Sequence, residues 1–323
     1  MIRLLSLHVL TALVLALPLA CQQASGNPSP AETVREVWKV ATPPETIWID
    51  FDSGGNIYAL DFEEQKVTKL SSTGARLGEL GRPGQEAGAL SKSRRFAHVD
   101  GRLYFANEGN GRIEVLGTSG EVFPPIELPA VARPGELYFA NQNFYVTRRF
   151  ASNGGAFVYA YDRNWKPRGE LRAATASAEG VEHLASLNTV CTAPDGFWLV
   201  YVVQNRIEKV GWDGKVLLET NRELDDRWPF RKDAKGRVLP EIVVHRACAV
   251  DRDGNLYVVY SNPENWKRGN DVYKFAPDGR LLQKAFTLPV FNTTMMRFDR
   301  DGHFFYSDGK TLTKAKIERT NQQ

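Results

Sequence analysis

Three arginines stand at or near the start of short apolar runs. Arg95 precedes Phe96-Ala97-His98-Val99, Arg246 follows His245 and precedes Ala247-Cys248-Ala249-Val250, and Arg297 lies in Met295-Met296-Arg297-Phe298. Asn188, Asn292 and Thr294 hold comparable places. Guanidiniums gathered round one axis repel unless an anion, a carboxylate or ordered water lies between them. That set suits recognition of a carboxylate, a phosphate or an acidic sugar. The competing outcome is that an arginine turns aside and pairs with an acid of the chain itself, such as Glu136. A second set lies in long polar segments: Arg148 and Arg149, then Trp228 and Arg231, then Trp266 beside Lys267 and Arg268. Tryptophan next to arginine suits stacking on a sugar or anchoring a protein partner, and equally suits capping an edge.

Catalytic signatures are weak. The chain has no Gly-x-Ser-x-Gly elbow, phosphate loop or His-Glu-x-x-His. Beyond the first twenty residues the histidines are His98, His183, His245 and His303. They fall at unequal depths along their runs and do not converge on a zinc ion. The expectation is no catalytic residue and no cofactor.

What must position these groups is a repeated unit. After residue 30 no helical stripe is sustained, and short runs rich in Val, Ile, Tyr, Phe and Trp alternate with Gly, Asp and Asn turns. A turn followed by an aliphatic or aromatic pair recurs six times, at Gly55-Asn56-Ile57-Tyr58, Gly101-Arg102-Leu103-Tyr104, Gln142-Asn143-Phe144-Tyr145, Gly196-Phe197-Trp198, Gly254-Asn255-Leu256-Tyr257 and Gly302-His303-Phe304-Phe305. A second turn follows the first five, at Thr73-Gly74, Ser119-Gly120, Arg163-Asn164, Asp213-Gly214 and Asp278-Gly279. Each unit reads as a four-stranded antiparallel meander, and residues 34–318 hold six units of about 47 residues. Such sheets bury both faces when set radially. The fold class is therefore all-β, a six-bladed β-propeller. The sixth unit lacks its outer strand, and Val34 to Ala41 supplies it, closing the ring with the N-terminal segment.

The run from Asp61 to Leu90, with Val67-Thr68-Lys69-Leu70, Thr73-Gly74 and the spacing Gly81, Gly84, Gly88, Leu90, resembles NHL-type six-bladed propellers, which share a glycine-rich connection between blades. Calcium-dependent lactonases are built on the same ring, and Glu45 and Asn188 are similar in place to two of their metal ligands. Where the next ligand should be an aspartate, this chain has Arg246, a cation. Glu45 and Asn188 are thus weak metal candidates. In such a ring Cys191 and Cys248 begin adjacent inner strands one register step apart, which leaves their pairing open.

The long segments 81–93, 148–155, 174–185, 218–241 and 261–270 all map to one face of the disc, opposite the tight turns. Long loops on one side of a rigid scaffold are where binding is expected.

The first twenty residues read as a secretory signal, with Arg3 before an apolar stretch from Leu4 to Ala20. Leu17-Pro18-Leu19-Ala20-Cys21 resembles the bacterial lipobox, which implies lipidation of Cys21. Residues 21–33 read as a flexible tether and 319–323 as a polar tail. Gln22, in place of aspartate, implies outer-membrane sorting under that resemblance. The net charge of +3 argues against nucleic acid as a partner. The function expected from sequence is a non-catalytic, membrane-anchored envelope lipoprotein that binds a peptide, glycan or protein partner. The alternative is a metal-dependent hydrolase or lyase on the same ring.

Overall fold

The computed structural model describes residues 32–43, 45–131, 133–148, 156–173, 188–202, 205–221, 230–232, 238–240, 245–260, 270–290 and 293–319. Among these residues every regular element is a strand. The chain begins with β1 (Glu32–Ala41). Blade 1 follows, as β2 (Thr46–Phe51), β3 (Ile57–Asp61), β4 (Lys66–Leu70) and β5 (Arg76–Leu80). The short parallel pair β6 (Arg82–Pro83) and β7 (Ala89–Leu90) joins it to blade 2. Blade 2 comprises β8 (Phe96–Val99), β9 (Arg102–Asn107), β10 (Arg112–Gly117) and β11 (Val122–Glu127). Blade 3 comprises β12 (Pro134–Ala140), β13 (Asn143–Arg148), β14 (Ala156–Asp162) and β15 (Pro167–Ala173). Blade 4 comprises β16 (Asn188–Ala193), β17 (Gly196–Tyr201), β18 (Ile207–Gly211) and β19 (Val216–Thr220). After the small hairpin of β20 (Phe230–Lys232) and β21 (Val238–Pro240), blade 5 holds β22 (His245–Val250), β23 (Leu256–Tyr260), β24 (Asn270–Phe275) and β25 (Leu281–Leu288). Blade 6 holds β26 (Met295–Phe298), β27 (Phe304–Ser307) and β28 (Thr311–Arg319), with β1 as its fourth strand. The fold is the six-bladed β-propeller expected from the repeats, closed by the N-terminal strand.

Local chemistry explains the hairpins. Three blades begin with the same turn, in which Asp52, Asp251 or Asp299 accepts a hydrogen bond from the amide four residues on at 2.8–2.9 Å. The other carboxylate oxygen binds the side chain of that same residue, Asn56, Asn255 or His303. In blade 3 Asn141 and Gln142 both take left-handed backbone angles, φ 45° and 61°. That is the turn Asp100-Gly101 makes in blade 2, φ 49° and 75°, without its glycine.

The core lies in the seams between blades. One apolar cluster joins blades 6 and 1 through Ile49, Ile57, Leu70, Met295, Phe305 and Leu312, with Trp38 and Val40 of β1 against it. A second joins blades 5 and 6 through Tyr257, Val272, Phe286, Met296, Phe304 and Tyr306. Burying each large apolar side chain contributes about 1.5–3 kcal/mol, so every seam is a substantial interface.

A lysine motif also repeats. Lys69, Lys209, Lys274 and Lys314 lie over the rings of their cross-strand partners Tyr58, Trp198, Tyr257 and Phe305, with the ammonium 4.9–5.4 Å from the centroid. Lys69 and Lys209 reach the next blade and donate to carbonyls of its outer turn, Thr118 O at 3.5 Å and Pro277 O at 2.9 Å. Blade 6 has no such turn, because its outer strand comes from the other end of the chain. There Lys274 binds Glu32 Oε1 at 2.7 Å, and the Tyr257 hydroxyl donates to Oε2 at 3.4 Å. Glu32 is 6% exposed. It lies two residues before the strand expected from sequence, and its carboxylate takes the place of the missing turn carbonyl.

β1 pairs with β28 from Glu32 opposite Arg319 to Ala41 opposite Thr311, with a bulge between Glu36 and Trp38. Val37, the residue the bulge leaves out of register, is exposed, and most of the remaining outward side chains are polar, which protects the rim from sheet extension.

Glu32→Ala leaves the Lys274 ammonium buried without its carboxylate and is expected to cost about 3 kcal/mol or more. Lys69→Ala removes a long bond to a carbonyl and the contact with the Tyr58 ring, leaves no charge unpaired, and should cost about 1 kcal/mol. Urea unfolding of the two variants checks the ranking, and equal losses would contradict it.

Candidate functional site

The innermost strands β2, β8, β12, β16, β22 and β26 surround the axis and enclose a cavity of about 190 Å³. Residues from all six line it, among them Trp48, Asp50, His98, Tyr138, Thr192, Val250 and Arg297. Alternation along β2 carries Trp48 and Asp50 toward the channel while Ile49 is buried in the seam with blade 6.

Two ion pairs join the inner strands of neighbouring blades. Arg297 of blade 6 donates to Asp50 Oδ1 of blade 1 at 2.9 Å. The same oxygen accepts the Phe51 amide at 3.0 Å, and Oδ2 accepts the His98 amide of blade 2 at 2.8 Å. Asp50 therefore ties three blades together. Arg95 of blade 2 meets Glu136 of blade 3, Nε to Oε1 at 2.9 Å, and donates to Thr189 Oγ1 of blade 4 at 2.7 Å. The Tyr138 hydroxyl donates to the other oxygen of Glu136. Side chains of this second pair are 13% and 20% exposed.

Both guanidiniums lie over the ring of Trp48. The Arg95 carbon is 3.9 Å from its ring centroid and the Arg297 carbon 4.6 Å. Its indole N–H donates to the Phe96 carbonyl at 2.9 Å, and Tyr138 stands edge-on at 6.3 Å. Each cation–π contact is worth about 0.5–2 kcal/mol, more as water is excluded. Burial disfavours the charge on Arg95, but attraction to Glu136 and Tyr138 and the hydrogen bond to Glu136 together outweigh it and hold the guanidinium above its ordinary pKa. Burial also pushes the Tyr138 phenol well above its usual value, although Arg95 opposes the shift.

The arginines thus have partners, and the partners are carboxylates of the protein. For Arg95 this is the Glu136 pairing named as the competing outcome from sequence. For Arg297 it is Asp50, a residue that sequence reasoning passed over. Trp48, His98, Tyr138 and Thr192 were likewise not assigned to the channel. The available signal was the two-residue alternation along β2 and β8.

The other candidates are dispersed. His245 is fully buried between blades 4 and 5, its Nδ1 against the Tyr201 carbonyl and its ring edge-on to Tyr260 at 4.5 Å. Arg246, the next residue of β22, is exposed. Arg148 closes β13 and is half-buried. Asn188 opens β16 and Arg231 lies on β20, and their side chains fall outside the described residues, as do Cys21, Arg149, His183, Trp228, Trp266 and Asn292. Glu45 forms the turn before β2, its amide donating to Asp61 Oδ2 at 2.8 Å and its carbonyl accepting from Phe62 at 2.9 Å.

Cys191 and Cys248 form a disulfide, with Cα atoms 6.2 Å apart. The register explains how residues one step apart can meet. His245 pairs with Tyr260 but Cys248 pairs with Val258, so β22 carries one extra residue between them, which resets the face of Cys248.

Among the described residues, those that line the channel do not fit a divalent-metal cage. Both oxygens of Asp50 already accept hydrogen bonds, and its nearest charged partner is a cation. A calcium ion needs six to eight oxygen ligands. Among the described residues, Asp299, Asp301 and His303 bring possible ligand atoms within 4.8 Å of one another. Asp299 is occupied as the turn cap described above and also faces Lys314 at 3.6 Å, so this trio is explained by the hairpin it builds.

No family model and no curated protein sequence matches the chain. Solved structures of similar fold include virginiamycin B lyase from Staphylococcus aureus, 13% identical over 86% of this chain and 83% of that one, with a TM-score of 0.53. The calcium-binding protein regucalcin from Agrobacterium tumefaciens is 14% identical over 90% and 96%, with a TM-score of 0.58. A gluconolactonase from Xanthomonas campestris is 14% identical over 91% and 98%, also with a TM-score of 0.58. At these identities the likeness is one of fold.

Glu136→Gln leaves the Arg95 guanidinium enclosed without a carboxylate and should cost about 1–3 kcal/mol in urea unfolding. Replacing both partners, Arg95→Met with Glu136→Leu, should recover most of that loss. A single variant as stable as the wild type would contradict the bracing role.

Proposed function

We propose that this protein is an exported, lipid-anchored propeller of the bacterial envelope that binds a peptide, glycan or protein partner through its long-loop face without catalysis. The observation that carries this reading is the neutralised channel. Arg95 and Arg297 are held by Glu136 and Asp50, and both guanidiniums lie over the ring of Trp48. The remaining cavity, about 190 Å³, is smaller than the roughly 300–1,000 Å³ typical of small-molecule sites. The axis therefore acts as a brace, and recognition falls to a face of the disc. The loops that carry Arg148, Arg149, Trp228, Arg231 and Trp266 offer the aromatic and cationic groups such recognition uses. Cys21 and the polar stretch after it support the anchored, exported part of the reading, which resembles outer-membrane sorting in a two-membrane cell.

The metal-dependent hydrolase or lyase is the second reading. It is favoured by the names of similar structures, which include a lyase and a gluconolactonase. It would use Glu45 and Asn188.

A panel of envelope glycans and peptides screened by biolayer interferometry tests the first reading. Binding should fall at least tenfold in Trp228→Ala with Trp266→Ala and persist in Arg297→Gln. The opposite pattern would move recognition to the axis. A stoichiometric calcium site, seen by calorimetry and lost in Glu45→Gln, would replace the first reading with the second.

A further inference from the structure

We propose that the tight turns of blades 2 and 3 carry a second binding site, which takes the flat face of a pyranose ring in a neutral glycan. It lies on the face opposite the long loops and uses none of their residues.

The outer turns differ in one residue. In blades 1, 2, 4 and 5 a glycine closes the turn, Gly74, Gly120, Gly214 or Gly279, at φ 83–101°. Each glycine amide donates to the carbonyl three residues before it at 2.9–3.0 Å. Blade 3 makes the same turn, with the Trp165 amide donating to the Asp162 carbonyl at 2.9 Å, but here tryptophan holds the left-handed place, at φ 61°. A bulky side chain takes that conformation only at a cost in energy. Covering a seam does not require it. In blade 4 Trp212 packs on Phe197 and, across the seam, on Tyr145 of blade 3, from a place two residues before Gly214, and the glycine keeps the left-handed angle.

The strain is concentrated. Among the described residues six non-glycine residues take left-handed angles, and four of them, Asp100, Asn141, Gln142 and Trp165, stand on tight turns of blades 2 and 3. The two turns of blade 3 are side by side, because Asn143 pairs with Asp162. Outliers gathered in one place, where other blades use glycine, point to side chains retained for what they present.

They present an aromatic floor with polar groups at its edge. The Trp165 ring stacks on Phe144 at 4.2 Å with 15° between the planes, 5.9 Å from Tyr104 of blade 2 and 5.8 Å from Tyr161. Phe144 is buried, whereas Trp165 and Tyr104 are half-buried, so the accessible part of the indole lies away from Phe144. Arg163, two residues before Trp165, donates to Asp100 Oδ2 at 3.1 Å, and both side chains are exposed. Asn141 and Gln142 are exposed too, and their side-chain amides make no hydrogen bond among the described residues.

A pyranose matches this arrangement. The face that carries its axial hydrogens is apolar and covers an indole, while its equatorial hydroxyls need donors and acceptors around the rim. Side-chain amides offer both, and the Arg163–Asp100 pair adds guanidinium donors and carboxylate acceptors. Because that pair carries no net charge, the site favours a neutral sugar over an acidic one.

The test titrates chitohexaose, a neutral β-1,4-linked hexasaccharide, into the purified protein and follows binding by calorimetry. Trp165→Gly restores the residue of the other four turns and relieves the strain. Affinity should fall at least tenfold in that variant. It should fall at least threefold in Asn141→Asp with Gln142→Gly, which recreates the turn of blade 2 and alters no buried residue, so this second variant decides the matter should the first fail to fold. Trp228→Ala with Trp266→Ala should bind chitohexaose as the wild type does, which separates this site from the long loops. Wild-type affinity in either turn variant, loss of binding in the long-loop variant, or no binding by the wild type at millimolar chitohexaose overturns the proposal.

Discussion

A ring of sheets has as many seams as blades, and it loses its edges only when every seam is closed. In this protein five outer strands are held by the chain that turns back into them, and the sixth is held by non-covalent contacts without such a turn. β1 meets β28 across nearly the whole sequence, Glu32 opposite Arg319, and its Trp38 and Val40 complete the seam with blade 1. The Glu32–Lys274 pair completes the seam with blade 5. Were β1 to leave, both seams would be exposed at once and blade 6 would present an open edge. The two faces, the axis and the loops all depend on that non-covalent closure.

The electrostatics at the centre follow the same logic at shorter range. A channel lined by six inner strands brings side chains together from residues far apart in sequence, and unlike charges that meet there link blades that the chain does not. Arg297 and Asp50 are 247 residues apart yet hydrogen-bonded. Arg95 reaches both Glu136 and Thr189 and so touches two further blades. Both guanidiniums also lie over the buried ring of Trp48. The result is a hub whose charges are used up in holding the ring together, and this is why the binding reading looks to the rim loops.

Much of the fold was legible because turns carry backbone signals that survive without context. Asp251, Asp253 and Gly254, for instance, announce a capped hairpin, and Gly254 sits at φ 82° as such a turn requires. Asn141-Gln142 was harder, since glutamine seldom accepts a left-handed angle and only the asparagine hinted at it. The site was less legible. The lysine-over-aromatic pairs depend on strand register, which no local pattern fixes. Asp50 looked like one more strand residue until the ring placed it beside Arg297. Glu32 gains its role only where the two chain ends meet. The pairing of Cys191 and Cys248 stays open in the sequence because the bulge in β22, which shifts the alternation by one, has no local signature there.

The closure can be probed amide by amide. In native-state hydrogen exchange with increasing urea, the amides of Val34 and Val40 in β1 should exchange with the same free energy and urea dependence as those of Leu199 and Val258 in the inner blades, because losing β1 opens the whole ring. If β1 instead exchanges through a small local opening while the inner strands stay protected, the N-terminal strand is an accessory, and the closure claimed for it is wrong.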